Sequence, residues 1–71
     1  MRPLARATFG SNLRRARQQA GLSQEALADK ADLHRNTIPP LEGDQAEPRL
    51  STILALARAL GVEPSELLKG L

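Results

Sequence analysis

The sequence predicts an all-α fold of five short helices, and three observations carry that reading. Leu and Ala are its commonest residues, 13 and 11 of 71. Both favour helices, whereas aromatic residues, which suit strands, are reduced to Phe9 alone. Apolar positions recur at spacings of three and four rather than in alternation. Glycine or proline also stands at the edges of the periodic stretches, at Gly21, Gly61, Pro64 and Gly70, where helices stop and start.

The first helix lies between Thr8 and Ala20, with Phe9, Leu13, Ala16 and Ala20 on one stripe. Gly21 ends it. Ser23 is an N-cap for a second helix, about Gln24 to Ala31, whose inward face is Leu27, Ala28 and Ala31. Only Gly21, Leu22 and Ser23 join the two, so they meet across a tight corner with Gly21 at positive φ, as in a helix-turn-helix. The third helix, about Arg35 to Glu42, buries Ile38 and Leu41, and residues 43–49 form a loop. In the fourth helix Leu50, Ile53, Leu54, Ala57 and Leu60 are expected inside, with Ser51, Thr52 and Arg58 outside. Pro64 opens a fifth helix of one to two turns, which Gly70 closes.

A chain of 71 residues holds one small domain. Without cysteine it has no disulfide, no thiolate zinc site and no cysteine nucleophile. One imidazole, His34, and scattered acids supply neither a metal set nor a catalytic arrangement. The chain is therefore read as not an enzyme, with no cofactor, metal or small-molecule ligand. The longest apolar run, Ile53 to Ala57, is far short of the roughly 20 residues that cross a bilayer, and the amino terminus lacks an export signal. A cytoplasmic protein without a membrane partner follows as the expectation. Charge is uneven: residues 1–24 carry five arginines and no acid, while the remainder carries five bases and eight acids. Such a split suggests a basic face for nucleic acid or an anionic membrane, or a solvated helix surface.

The run Leu13-Arg14-Arg15-Ala16-Arg17, the corner Gly21-Leu22-Ser23-Gln24-Glu25-Ala26-Leu27-Ala28, then Ala31-Asp32-Leu33, Ile38, Leu41-Glu42, Pro48 and Ala57-Arg58-Ala59-Leu60-Gly61-Val62 together resemble the Cro/C1-type (XRE) helix-turn-helix family. The resemblance covers residues 8–70. It implies a compact lambda-repressor-like domain over 8–70 preceded by a flexible arm over 1–7. It further implies a sequence-specific transcription regulator, most often a repressor, of bacterial or phage origin, bound as a homodimer to a double-stranded DNA operator. Arg17 and Glu42 match the family's structural ion pair. Ser23 and Gln24 stand where a helix N-terminus meets DNA phosphate, with Arg49 and Arg14 as further phosphate candidates. The third helix would read the major groove through His34, Arg35, Asn36 and Thr37. Arg35 can pair with guanine O6 and N7, and Asn36 with adenine N6 and N7. Both residues also read as plain exposed polar groups. His34 reads as cap, phosphate ligand or bystander.

The departure from the family pattern is Pro39-Pro40. In a helix begun at Arg35 these prolines fall at the fifth and sixth positions, where each removes a hydrogen bond at a cost of about 3 kcal/mol. The expected result is a third helix cut to about one turn or kinked after Thr37, with Ile38 and Pro39 pushed toward extended backbone. Three outcomes then compete: DNA binding through the surviving turn, a scaffold with impaired DNA binding, or an interaction module of antitoxin type.

Overall fold

The computed structural model describes residues 7–71, so the arm expected over residues 1–7 lies, but for Ala7, outside the described residues. The elements are α1 (Phe9–Gln19), α2 (Gln24–Ala31), a 3-10 turn (Arg35–Thr37), α3 (Ile38–Glu42), α4 (Leu50–Leu60) and α5 (Pro64–Leu67). No strand occurs among the described residues. The helices enclose a core of Phe9, Leu13, Leu27, Ala28, Ile38, Leu41, Ile53, Leu56, Ala57, Ala59 and Leu67. In it α1 packs on α3 and α5, and α2 on α3 and α4.

Local chemistry sets the boundaries. Thr8 caps α1 reciprocally with Ser11: the Ser11 N–H donates to Thr8 Oγ1 and the Thr8 N–H to Ser11 Oγ, each at 3.0 Å. The corner after α1 is a Schellman stop. Gly21 takes φ +72, its N–H bonds the Gln18 carbonyl at 3.0 Å, and the Leu22 N–H reaches the Arg17 carbonyl at 3.1 Å. Helix α4 ends the same way at Gly61. So does α2, but with Asp32 in the left-handed position at φ 58.

The double proline does not break the third helix, because that helix does not begin where the sequence suggested. His34 caps a 3-10 turn over Arg35–Thr37, and the α-helix starts only at Ile38. Pro39 and Pro40 thus fall at its second and third positions, in the first turn, where N–H groups have no intrahelical acceptor. The cut expected after Thr37 is not found: the third helix is short, with five residues, but it begins after Thr37 rather than ending there. The extended backbone expected at Ile38 and Pro39 is not found: Ile38 is helical at φ −72, ψ −48 and Pro39 lies within α3, with the Ile38 side chain fully buried.

Helix α4 faces the core differently from its predicted stripe. Leu56 and Ala59 are buried, whereas Leu50 is 70% exposed and Leu54 43%. In α1 Asn12 is buried, and Ala20, expected on the inward stripe, lies just past the helix end and is exposed. The Asn12 amide donates to the carbonyls of Leu67 at 3.0 Å and Lys69 at 2.9 Å, fastening the chain after α5 to α1. Gly10 lies where α1 touches the end of α3. A Cβ there would stand 2.5 Å from the Glu42 carbonyl oxygen and 2.6 Å from that of Leu41, so no larger residue fits without displacement.

Candidate nucleic-acid interface

The corner between α1 and α2 is held from behind by one buried carboxylate. Glu42, at the end of α3, has no exposed side-chain surface. Its Oε2 accepts from Arg17 Nε at 2.6 Å and its Oε1 from Arg17 Nη2 at 3.0 Å, a two-pronged contact that suits the guanidinium fork. The remaining nitrogen, Arg17 Nη1, donates to the Leu22 carbonyl at 2.8 Å, inside the corner itself. Burial would raise the Glu42 pKa, but the hydrogen bonds from Arg17, Gln24 and Arg14 and the charge of Arg17 outweigh it, leaving the carboxyl below its ordinary 4.5. Reciprocally, the Glu42 hydrogen bond holds the Arg17 pKa above its usual value against the opposing effect of burial.

Two residues expected to meet phosphate also belong to this cluster. Gln24 Nε2 donates to Glu42 Oε1 at 3.1 Å, and Arg14 Nε lies 3.4 Å from the same oxygen. Arg14 keeps 55% of its side chain exposed, so its outer nitrogens remain available. Gln24 is half-buried and turned inward. Ser23 caps α2, accepting from the Ala26 N–H at 3.0 Å, and is itself exposed. Arg49 is exposed at the start of α4, remote in sequence from the corner.

The base-reading candidates stand together on the 3-10 turn. Arg35 and Asn36 are exposed and Thr37 is half-buried. His34 Nδ1 accepts from the Asn36 N–H at 3.1 Å. That places the proton of the neutral ring on Nε2, where it can donate outward. The ring is therefore a cap, one of the three roles read for it. Arg35 Nη1 lies 4.0 Å from Glu25 Oε2 on α2, a residue the sequence reading did not single out.

Asp44 stands in the turn that follows α3. It adopts φ 57, accepts from the Gly10 N–H at 3.0 Å through Oδ1 and from Thr8 Oγ1 at 2.8 Å through Oδ2, and so closes the amino end of α1. Its tolerance of the left-handed region was readable from its type; its partner 34 residues away was not.

A cap, a glycine corner, a second helix and a short third helix with exposed polar residues at its start are the parts of one motif. A helix-turn-helix family model matches residues 13–67. The chain belongs to the helix-turn-helix family. Among curated relatives of this family, it is 40% identical over 58 residues to an immunity repressor protein of Bacillus phage phi105, a match covering 82% of this chain and 40% of that protein. The chain thus spans less than half the length of that relative. Among solved structures of helix-turn-helix proteins, it resembles the restriction-modification controller protein C.AhdI from Aeromonas hydrophila, with a TM-score of 0.82 and 44% identity over 86% of this chain and 92% of that one. It likewise resembles the P22 c2 repressor solved in complex with a synthetic operator, with a TM-score of 0.79 and 32% identity over 89% of this chain and 96% of that one.

Proposed function

We propose that this chain is a sequence-specific DNA-binding transcription regulator, a repressor acting in the cytoplasm on a double-stranded operator. The observation that carries the reading is the exposure of the neighbours Arg35 and Asn36 on the 3-10 turn that leads into α3, beside an α1–α2 corner held by the Glu42 cluster. A guanidinium and a carboxamide so placed suit guanine and adenine edges in a major groove. Ser23 and the first N–H groups of α2, with Arg14 and Arg49, supply phosphate contacts, and His34 adds a donor through Nε2. Gln24 joins them by turning from Glu42 when a phosphate replaces that acceptor. The controller and repressor relatives described above favour a regulatory role over an enzymatic one.

Two copies act together, because one short helix reads too few base pairs for selectivity. Near the carboxyl end Leu67 is fully buried, while Leu68 and Leu71 are 42% and 66% exposed and supply the contact between copies. The reading of an impaired scaffold loses its premise, since both prolines fall in the first turn of α3.

The test is a duplex selected from a randomised pool, titrated with the chain at two salt concentrations beside Arg35→Ala and Asn36→Ala. Base reading predicts that each variant loses preference at its own base pair by about 1–3 kcal/mol, and phosphate binding predicts weaker affinity at the higher salt. Unaltered preference in both variants, or affinity indifferent to salt, would refute the proposal.

A further inference from the structure

His34 is the one histidine of the sequence, and it caps the turn that offers Arg35 and Asn36. Two hydrogen bonds shape the entry to that turn. The Thr37 N–H donates to the His34 carbonyl at 2.9 Å, and the Asn36 N–H donates to His34 Nδ1 at 3.1 Å. The second bond needs a bare Nδ1, hence a neutral ring, because an imidazolium carries a hydrogen on both nitrogens and accepts at neither. The caps of α1 and α2 are the hydroxyls of Thr8 and Ser23, which accept at any pH. Imidazoles change charge between about pH 5 and pH 8, so a proton can remove this cap and not the others. We propose that His34 makes base reading pH-sensitive: the neutral ring caps the reading turn and sharpens the choice among sequences, and the protonated ring releases the turn and becomes one more cation for phosphates.

This regulation rests on Arg35 and Asn36 as base readers. The turn packs on α2 and α3, whose charged residues are Glu25, Asp29 and Lys30, with Asp32 at the end of α2, and Glu42. Glu42 is enclosed with Arg17, and Glu25 lies 4.0 Å from Arg35. Among the described residues no carboxylate comes within 4.0 Å of the imidazole, so a proton that breaks the cap gains no ion pair inside the chain. Specific binding needs Arg35 and Asn36 in place, and an uncapped turn must be ordered at the expense of that affinity. Non-specific binding touches phosphates alone, so it loses nothing and gains an attraction. Acid therefore narrows the gap between the preferred duplex and all others.

The experiment uses the full chain, the preferred duplex from a randomised pool and a set carrying single base-pair changes, titrated at pH 8 and about pH 5.5 at one salt concentration. Both lie above the range in which the folded chain protonates Glu42, and thermal melting at each pH checks that the chain is folded. The wild type is expected to discriminate about three- to tenfold less at the lower pH and to bind mismatched duplexes more tightly there. His34→Ser gives up the Nε2 donor and binds every duplex more weakly, but its hydroxyl caps at either pH, so its discrimination should stay high at both. His34→Ala, without a cap, should show low discrimination at both. Equal discrimination by the wild type at the two pH values, a fall in His34→Ser matching that of the wild type, or full discrimination by His34→Ala would each overturn the switch and leave base reading standing. Absence of any preference in the wild type at pH 8 would bring down base reading and the switch together.

Discussion

At the carboxylate of Glu42 three helices meet: α1 through Arg14 and Arg17, α2 through Gln24 and α3 through Glu42 itself. Arg17→Met leaves that group buried with too few donors and is expected to cost about 3–5 kcal/mol in urea denaturation. Replacing both partners, Arg17→Met with Glu42→Leu, should restore most of the loss, because no charge then remains inside. The cluster also fixes an acid dependence. Since the Glu42 pKa is lower folded than unfolded, the unfolded chain binds its proton first as pH falls. The stabilisation is therefore complete above the ordinary carboxylate pKa near 4.5 and lost as pH falls through the lower folded value. Urea titrations from pH 7 to pH 3 should show this slope in the wild type and a shallower one in Glu42→Gln, whose starting stability is lower. The ion pair itself was readable from resemblance. That Gln24 and Arg14 share its oxygen was not, because 18 and 28 residues separate them from Glu42.

Pro39 and Pro40 show how a helix is specified by where it starts. Counted from Arg35 they are interior residues; counted from Ile38 they occupy the first turn. The 3-10 turn, capped by His34 Nδ1, makes the difference by taking up three residues before the α-helix begins. If the prolines sit without strain, Pro39→Ala and Pro40→Ala should each lower stability by about 0.4–1 kcal/mol through a more disordered unfolded chain. Interior prolines would give the reverse, a gain near 3 kcal/mol on replacement, and urea midpoints tell the two apart. Helix α4 carries a different lesson. Leu50, Ile53, Leu54, Leu56, Ala57, Ala59 and Leu60 make it apolar around most of its circumference, so periodicity admits more than one inward face. Packing against α2 and α5 selects Ile53, Leu56, Ala57 and Ala59 and leaves Leu50 and Leu54 outside.

For the molecule as a whole, the proposed pairing of two copies has a surface in what remains uncovered. Leu68 and Leu71 near the carboxyl end are exposed beside a half-buried Pro48 and the buried Phe9, with Asp44, Ala46 and Glu47 lining the same groove, and covering the two leucines with a second copy is what the proposed pairing gains. Leu68→Ser together with Leu71→Ser should move the sedimentation-derived mass toward that of one chain across a dilution series. The selected duplex should then be bound more weakly and less cooperatively. The folded state of the single chain should be little affected, since neither leucine belongs to the core.

The sequence by itself determined α1, α2, α4 and α5, the Ser23 cap, the stops at Gly21 and Gly61 and the tight corner between the first two helices, but not where the third helix begins. What it determined is written in contacts within about one turn of the chain, between groups a few positions apart. Only the tertiary structure decided which way Gln24 turns, which carbonyls Asn12 holds, what Asp44 closes and that Glu25 reaches Arg35. Those partners lie on different elements, and helix packing, not local spacing, brings their polar atoms within reach.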